Sequence, residues 1–308
     1  MAEIKNPFES WFSSTGLGNV FSNARTVGAI REAVRHSRTV LDIDPPPVAL
    51  RKDITLPGGD GEIGARIYVP YGADENLGPG LVFFHGGGFF AGSVDGHEPL
   101  AQRLAAVSGV RVVSVEYRLA PEHKFPAPLD DALSAFDAIR AGALSEYGFD
   151  GGRLAVGGDS AGGTLSAVIA QERRSSVAFQ LLLYPLLQLV EFKKPNARWQ
   201  EGPLLSVTTL KEIRKHYLAD DDPSDPRISP LYASDLKGLA PAYILTAEFD
   251  PLLDEANAYA DRLSASAVPV ELKHYKSVPH GFLSASRVLP ACIPAVEAAG
   301  RALQKGLE

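Results

Sequence analysis

A chain of 308 residues that is 45% hydrophobic can bury one large core or two small ones, and neither its charge nor its apolar content marks it as disordered. Lys plus Arg number 30 and Asp plus Glu 37, a formal charge of −7 with no clustered positive stripe, which argues against a nucleic-acid partner. The single cysteine, Cys292, fits a reducing compartment; the N-terminal residues lack an apolar signal core and no window nears the ~18 apolar residues of a membrane span, so a cytoplasmic protein is expected.

In chain order, residues 1–45 hold a helical pattern from about Asn23 to Arg38, stopped by Pro45-Pro46-Pro47. Val48–Leu56 and Ile63–Val69 alternate apolar and polar residues around Pro57-Gly58-Gly59-Asp60-Gly61, as an antiparallel hairpin does. From residue 80 the rhythm changes to short apolar runs: 81–84, 110–115, 154–156, 180–184, 243–246 and 270–275. Helical patterns over 97–108, 128–141, 162–172 and 253–266 separate several of them. Strands alternating with helices imply crossover connections, so the expected fold class is α/β with a mostly parallel sheet flanked by helices, in one domain spanning 1–308. The interval 187–235 breaks this rhythm with a helical stretch Thr208–Leu218 and the turn-rich run from Asp220 to Pro226. It reads as an insertion over the strand ends, forming with residues 1–45 a helical cap, or else as a surface excursion. The pairs Arg173-Arg174 and Lys193-Lys194 read as solvated ends rather than a polyanion footprint.

The chemistry concentrates in Gly158-Asp159-Ser160-Ala161-Gly162-Gly163, which lies between an apolar strand run and an alanine-rich helical run. A sharp strand-to-helix turn exposes a serine at its apex only if its neighbours lack Cβ atoms, which Gly158 and Gly162 supply. The motif alone is weak, because it is short and built from common residues. A serine hydroxyl also needs a base oriented by a carboxylate, and after such an elbow the chain order is serine, acid, histidine. Beyond Ser160 lie His216, His274 and His280. His280 follows the last predicted strand, whereas His274 falls inside it and His216 inside the insertion helix. Asp250 ends the run after Thr246 and is the leading acid, with Glu248 and Asp254 as competitors; before Pro251 it also reads as a helix N-cap.

His85-Gly86-Gly87-Gly88 after the first core strand is the fourth element. Read as an oxyanion loop, Gly87 and Gly88 donate their N–H groups together with that of Ala161, while His85 and Gly86 support the turn. Gly-rich loops after strands also bind phosphates, but no G-x-x-x-x-G-K-[ST] or G-x-G-x-x-G follows here. Scattered histidines and the absence of H-E-x-x-H or paired C-x-x-C give no reason to expect a metal, and no cofactor is expected.

Together these motifs resemble the hormone-sensitive-lipase-like group of α/β-hydrolases, which includes bacterial carboxylesterases. His85-Gly86-Gly87-Gly88-Phe89 and the serine motif match in order, as do Tyr117-Arg118-Leu119-Ala120-Pro121-Glu122-His123 with Phe125-Pro126-Ala127, then Asp250-Pro251-Leu252 and His280-Gly281-Phe282. The resemblance covers about residues 55–290. It implies a carboxylesterase acting on short to medium acyl esters through a Ser160-His280-Asp250 triad and an acyl-enzyme. It also implies a small-molecule ester substrate, a cap over the site, and a homodimer formed through the sheet edge near the last strand. The same machinery also serves an amide, formamide or lactone hydrolase, and related receptors bind a small ligand without turnover, having lost the histidine. The chain departs from the family with Thr164 where Asn is common and Leu186-Leu187 after Tyr184-Pro185 where a polar residue is frequent. Phe8, Trp11, Phe12 and Phe21 line an acyl pocket in one reading and pack the cap down in another.

Overall fold

The computed structural model describes residues 26–74, 76–192 and 205–308. In chain order these residues form α1 (Val27–Leu41), β1 (Leu50–Pro57), β2 (Glu62–Val69), β3 (Gly78–Phe84), α2 (Val94–Ser108), β4 (Arg111–Val115), α3 (Ala127–Arg140) and β5 (Phe149–Asp159). There follow α4 (Ala161–Glu172), β6 (Val177–Leu183), α5 (Val207–Tyr217), β7 (Ala242–Phe249), α6 (Leu253–Ala265), β8 (Val270–Pro279) and α7 (Cys292–Gly306). The strands make one sheet in the order β1-β2-β4-β3-β5-β6-β7-β8. β1 and β2 form the expected hairpin, in register from Leu50↔Val69 to Pro57↔Glu62. Gly58 donates to the Gly61 carbonyl at 2.7 Å to close its turn, and Gly61 takes the positive φ of 87° that the reversal needs. β2 meets β4 antiparallel, and every pairing beyond it is parallel. The α/β class read from the sequence is the one observed.

Successive residues of a strand face opposite sides. Val82 and Phe84 of β3 therefore pack with Phe136 of α3 and Leu165 and Ile169 of α4, while Leu81 and Phe83 pack with Leu100 and Leu104 of α2 and Val296 and Leu303 of α7. Leu182 and Ile244 meet Tyr259 and Leu263 of α6. Covered on both faces, the central strands need apolar residues at every position, which is why they read as unbroken runs rather than alternations. The run 154–156 is only the middle of β5; its ends carry Asp150, Arg153, Asp159 and four glycines, which give no apolar signal.

The sequence reading leaves 292–306 without an element, and α7 corrects it. Its buried face is Cys292, Ala295, Val296, Ala299, Gly300, Ala302 and Leu303, and most of these are small residues that dilute the hydrophobic signal. They are small because α7 lies close to α2: a Cβ on Gly300 would stand 2.8 Å from Cγ1 of Val107. Within 205–241 the chain forms α5 near its expected place, followed by the Asp220–Asp222 turn, where Asp222 accepts the Ser224 N–H at 2.9 Å. Arg173 pairs with Asp137 and Arg174 with Asp235, whereas Lys193 and Lys194 lie outside the described residues, as do Phe8, Trp11, Phe12 and Phe21. No helix among the described residues is long and apolar enough to cross a membrane.

Candidate active site

β3, β5, β7 and β8 run parallel, so their C-terminal ends deliver His85, Ser160, Asp250 and His280 to one edge of the sheet. β5 ends at Asp159 and α4 begins at Ala161, leaving Ser160 alone to make the turn, with φ 56° and ψ −115°. A non-glycine residue in such a region stores about 1–3 kcal/mol of strain and persists only where its surroundings fix it. Here the Ser160 N–H donates to the Leu183 carbonyl at 2.9 Å, and its own carbonyl accepts from Gly163 at 2.9 Å and Leu186 at 3.1 Å. A serine at a helix start ordinarily caps it, but this hydroxyl makes no cap bond. Its Oγ lies instead 3.0 Å from Nε2 of His280. A Cβ on Gly158 or Gly162 would overlap the Phe84 carbonyl at the end of β3, so strand and helix can approach this closely only without one. Thr164, the departure from the family pattern, donates its hydroxyl to the Leu186 carbonyl and pins the chain leaving β6.

His280 is 8% exposed and Asp250 2%. Nδ1 of His280 lies 2.7 Å from Oδ2 of Asp250, and the other carboxylate oxygen accepts the Leu252 N–H at 2.8 Å. Asp250 thus closes a turn rather than capping α6, whose N-cap is Leu252 with no side-chain bond; the expected N-cap role is corrected on this point. A carboxylate at Nδ1 fixes the proton there and leaves the Nε2 lone pair facing Ser160. The Tyr184 ring meets the His280 ring edge-on at 5.0 Å and limits its rotation.

The loop after β3 winds through three consecutive left-handed residues, Gly87 (φ 124°), Gly88 (φ 62°) and Phe89 (φ 63°). The Gly87 carbonyl accepts from Phe90 and Ala91, and a Cβ at Gly87 would overlap Ala91. The N–H groups of Gly87, Gly88 and Ala161 meet no acceptor among the described residues. At the other end, Gly86 donates to Oδ1 of Asp159 at 2.7 Å, an oxygen also 3.3 Å from Nε2 of His97. His85 is fully buried, bonds the Gly86 carbonyl through Nδ1 at 2.9 Å and stacks on Tyr117 at 4.3 Å, while Tyr117 donates its hydroxyl to the His85 carbonyl at 2.6 Å.

The remaining candidates lie apart from the hydroxyl. Glu248 accepts the Ser277 N–H at 2.7 Å, Asp254 is exposed on the first turn of α6, His274 sits 3.1 Å from the Thr246 hydroxyl, and His216 lies beside Glu212 at 3.6 Å. Residues that the sequence reading passed over also shape the site. Asp159 and His97 brace the glycine loop, and Asp159 stands next to the serine in the motif, the one local clue. Glu255 on α6 is buried and accepts from the Leu187 N–H at 2.6 Å and from Gln188 Nε2 at 2.9 Å. Gln188 is the polar residue that follows Leu186-Leu187.

A family with the alpha/beta hydrolase fold matches residues 81–284. A carboxylic ester hydrolase of Mycobacterium tuberculosis, LipN, is 41% identical over 262 residues, covering 81% of this chain and 69% of its own. Among solved structures, an ester hydrolase from the metagenome of Lake Arreo superposes with a TM-score of 0.90 at 38% identity over 99% of this chain and 98% of its own. A hyperthermophilic esterase of Pyrobaculum calidifontis superposes with a TM-score of 0.90 at 35% identity over 97% of each.

Proposed function

The chain belongs to the hormone-sensitive-lipase-like carboxylesterases of the α/β-hydrolase family, and from that membership we propose that it hydrolyses short to medium acyl esters with Ser160 as nucleophile, His280 as base and acid, and Asp250 as orienting carboxylate. The observation that carries this reading is the unbroken relay from Asp250 Oδ2 through His280 to Ser160 Oγ, 2.7 and 3.0 Å long.

In the first step the serine oxygen bonds to the ester carbonyl carbon while its proton passes to His280 Nε2. The carbonyl π electrons collect on oxygen, where the N–H groups of Gly87, Gly88 and Ala161 receive them. Fixed donors of this kind are worth on the order of 3 kcal/mol each, and the N-terminus of α4 adds its positive dipole end. Collapse expels the alkoxide, which takes the proton from His280. Water then attacks the acyl-enzyme with His280 again as base, and collapse releases the acid and restores the serine hydroxyl. The imidazolium formed twice in each cycle is balanced by Asp250, buried beside it.

α1 and the 187–235 interval act as the cap in this reading. Its support is contact with the glycine loop: Tyr217 of α5 stacks on Phe89 at 3.8 Å, and Val27, Ile30 and Val34 of α1 pack against the same apolar cluster. A cytoplasmic location belongs to the same reading and leans on the lone, buried Cys292. So does a homodimer through β8, the last strand of the sheet, whose Leu272 is exposed; light scattering on the eluting protein tests it. The chemistry is tested by Ser160→Ala, which should keep its melting temperature and lose hydrolysis across a p-nitrophenyl ester series of increasing acyl length. Turnover retained by that variant overturns the assignment.

A further inference from the structure

The strained glycine loop is braced at its start by Asp159, and at its end by a residue from a different part of the chain. Arg31, on the second turn of α1, sends its Nε–H to the Phe90 carbonyl at 2.7 Å and an Nη2–H to the Ala120 carbonyl at 2.8 Å. The other face of the same guanidinium grips Glu122 with two bonds, at 3.0 and 2.6 Å. Ala120 in turn donates its own N–H to the Phe89 carbonyl at 2.9 Å. One planar cation therefore ties the glycine loop to the Tyr117–His123 segment and both of them to α1. The fork is what the arrangement needs, because an ammonium cannot point fixed donors at two carbonyls and a carboxylate at once.

Phe90 stands two residues from Gly88, across a stretch in which Gly87, Gly88 and Phe89 all hold positive φ. Phe89, the one non-glycine of the three, keeps that φ only when contacts outside the run over-determine it. Ile30 and Val34 of α1, flanking Arg31, pack against the cluster that holds Phe89, Phe90 and Ile213, so the guanidinium is carried on a docked surface.

We propose that Arg31 is a positioning residue for the oxyanion donors, so that α1 is part of the apparatus that stabilises the transition state and not only a cover over it. The inference rests on the reading of Gly87 and Gly88 as donors to the developing oxyanion. It sets Arg31 apart from a plain surface ion pair: the Glu122 carboxylate is largely exposed and contributes little, whereas the two carbonyl contacts carry the effect.

The test uses the full chain with Arg31→Met, Arg31→Lys and Glu122→Gln, reading kcat and KM on p-nitrophenyl butyrate and inhibition by a short alkyl trifluoromethyl ketone, whose serine adduct carries an oxyanion. Arg31→Met should lower kcat about 10- to 100-fold with KM within about twofold, and weaken the ketone by a similar factor, as loss of a contact realised in the transition state does. Arg31→Lys, which keeps the charge and so protects folding, should still lose several-fold, and Glu122→Gln less than about threefold. An Arg31→Lys protein with unchanged kcat and ketone affinity overturns the proposal, as does a loss confined to KM. Ser160→Ala separates the two layers: if it stays active the underlying reading fails, and if it is inactive while the Arg31 variants keep wild-type kcat and ketone affinity, only this inference fails.

Discussion

Phe249 on β7 pairs with Pro279 on β8, and one residue beyond each stand Asp250 and His280. The ladder reaches that pairing only after a shift of register, since Ala247 pairs with Tyr275 two residues earlier on one strand and four earlier on the other. The surplus on β8 is taken up around Ser277, at φ 59°, whose N–H is received by Glu248. Glu248 thus holds the bulge that aims His280, and Asp250 accepts the hydrogen bond from its Nδ1–H. Asp250→Asn is expected to lower kcat by about 10^4-fold, the scale at which a triad carboxylate is lost with its geometry intact. Glu248→Gln keeps an acceptor for Ser277 and should stay within a few-fold of wild type, as should Asp254→Asn. Steady-state kinetics on one ester decides it, and equal damage from Glu248→Gln or Asp254→Asn removes Asp250 from its role.

Asp159 makes a separate prediction. Its carboxylate receives the Gly86 N–H while its neighbour Ser160 lies 3.0 Å from His280 Nε2, so in the proposed mechanism one dipeptide sets both the attacking atom and the start of the donor loop. Asp159→Ala leaves that buried N–H without an acceptor, at a cost of about 1–3 kcal/mol, and frees the loop. We expect kcat to fall about 10- to 100-fold with a small change in KM, whereas Asp159→Asn, whose amide oxygen still accepts, keeps most of the activity. A KM effect without a kcat effect would place Asp159 in substrate binding instead.

How much of this was legible in sequence depends on the distance over which each constraint acts. Gly158 and Gly162 could be read because their reason is local: strand and helix meet within five residues, and a side chain there has nowhere to go. The order of Ser160, Asp250 and His280 could be read because each follows an apolar run. Which carboxylate faces His280 was not settled by spacing, because Glu248 and Asp250 sit on the same strand end and only the register shift at Ser277 separates them. Arg31, Asp159 and Glu255 were opaque for the same reason, since their partners at Phe90, Gly86 and Leu187 are brought to them by the fold.

Gly162→Ala should be strongly disruptive for so small a change. Its Cβ would overlap the Phe84 carbonyl, backbone that cannot swing aside, so either β3 or α4 must move. Overpacking of this kind costs about 1–3 kcal/mol or more. The expected result is a lowered denaturant midpoint together with lost activity, in contrast to Ser160→Ala, which loses only the second. Gly28→Ala serves as the control, for among the described residues a Cβ there meets nothing within 4 Å. An unchanged midpoint for Gly162→Ala would refute the close approach of β3 and α4.

Glu255 predicts how stability varies with pH. Burial pushes its carboxyl from the ordinary 4.5 up to about 8, against the opposing pull of the Leu187 N–H and the Gln188 amide, while the nearby charge of Asp250 raises it further. Between those two values the folded protein holds a proton that the unfolded chain has released. The stability this provides is full below pH 4.5, declines as pH rises, and is gone once pH passes about 8. The slope contributed cannot exceed about 1.4 kcal/mol per pH unit, the value for one proton. Glu255→Gln removes the titration, so urea unfolding at pH 5, 6, 7 and 8 should show wild type losing stability relative to the variant at each step. Replacing the carboxyl whose oxygens accept from Leu187 and Gln188 with an amide, whose nitrogen cannot accept, should also loosen the chain that leaves Ser160 through Leu186, raising KM for longer acyl chains more than for acetate. Parallel stability curves for the two proteins would show that Glu255 stays ionised in the fold, held by its two donors.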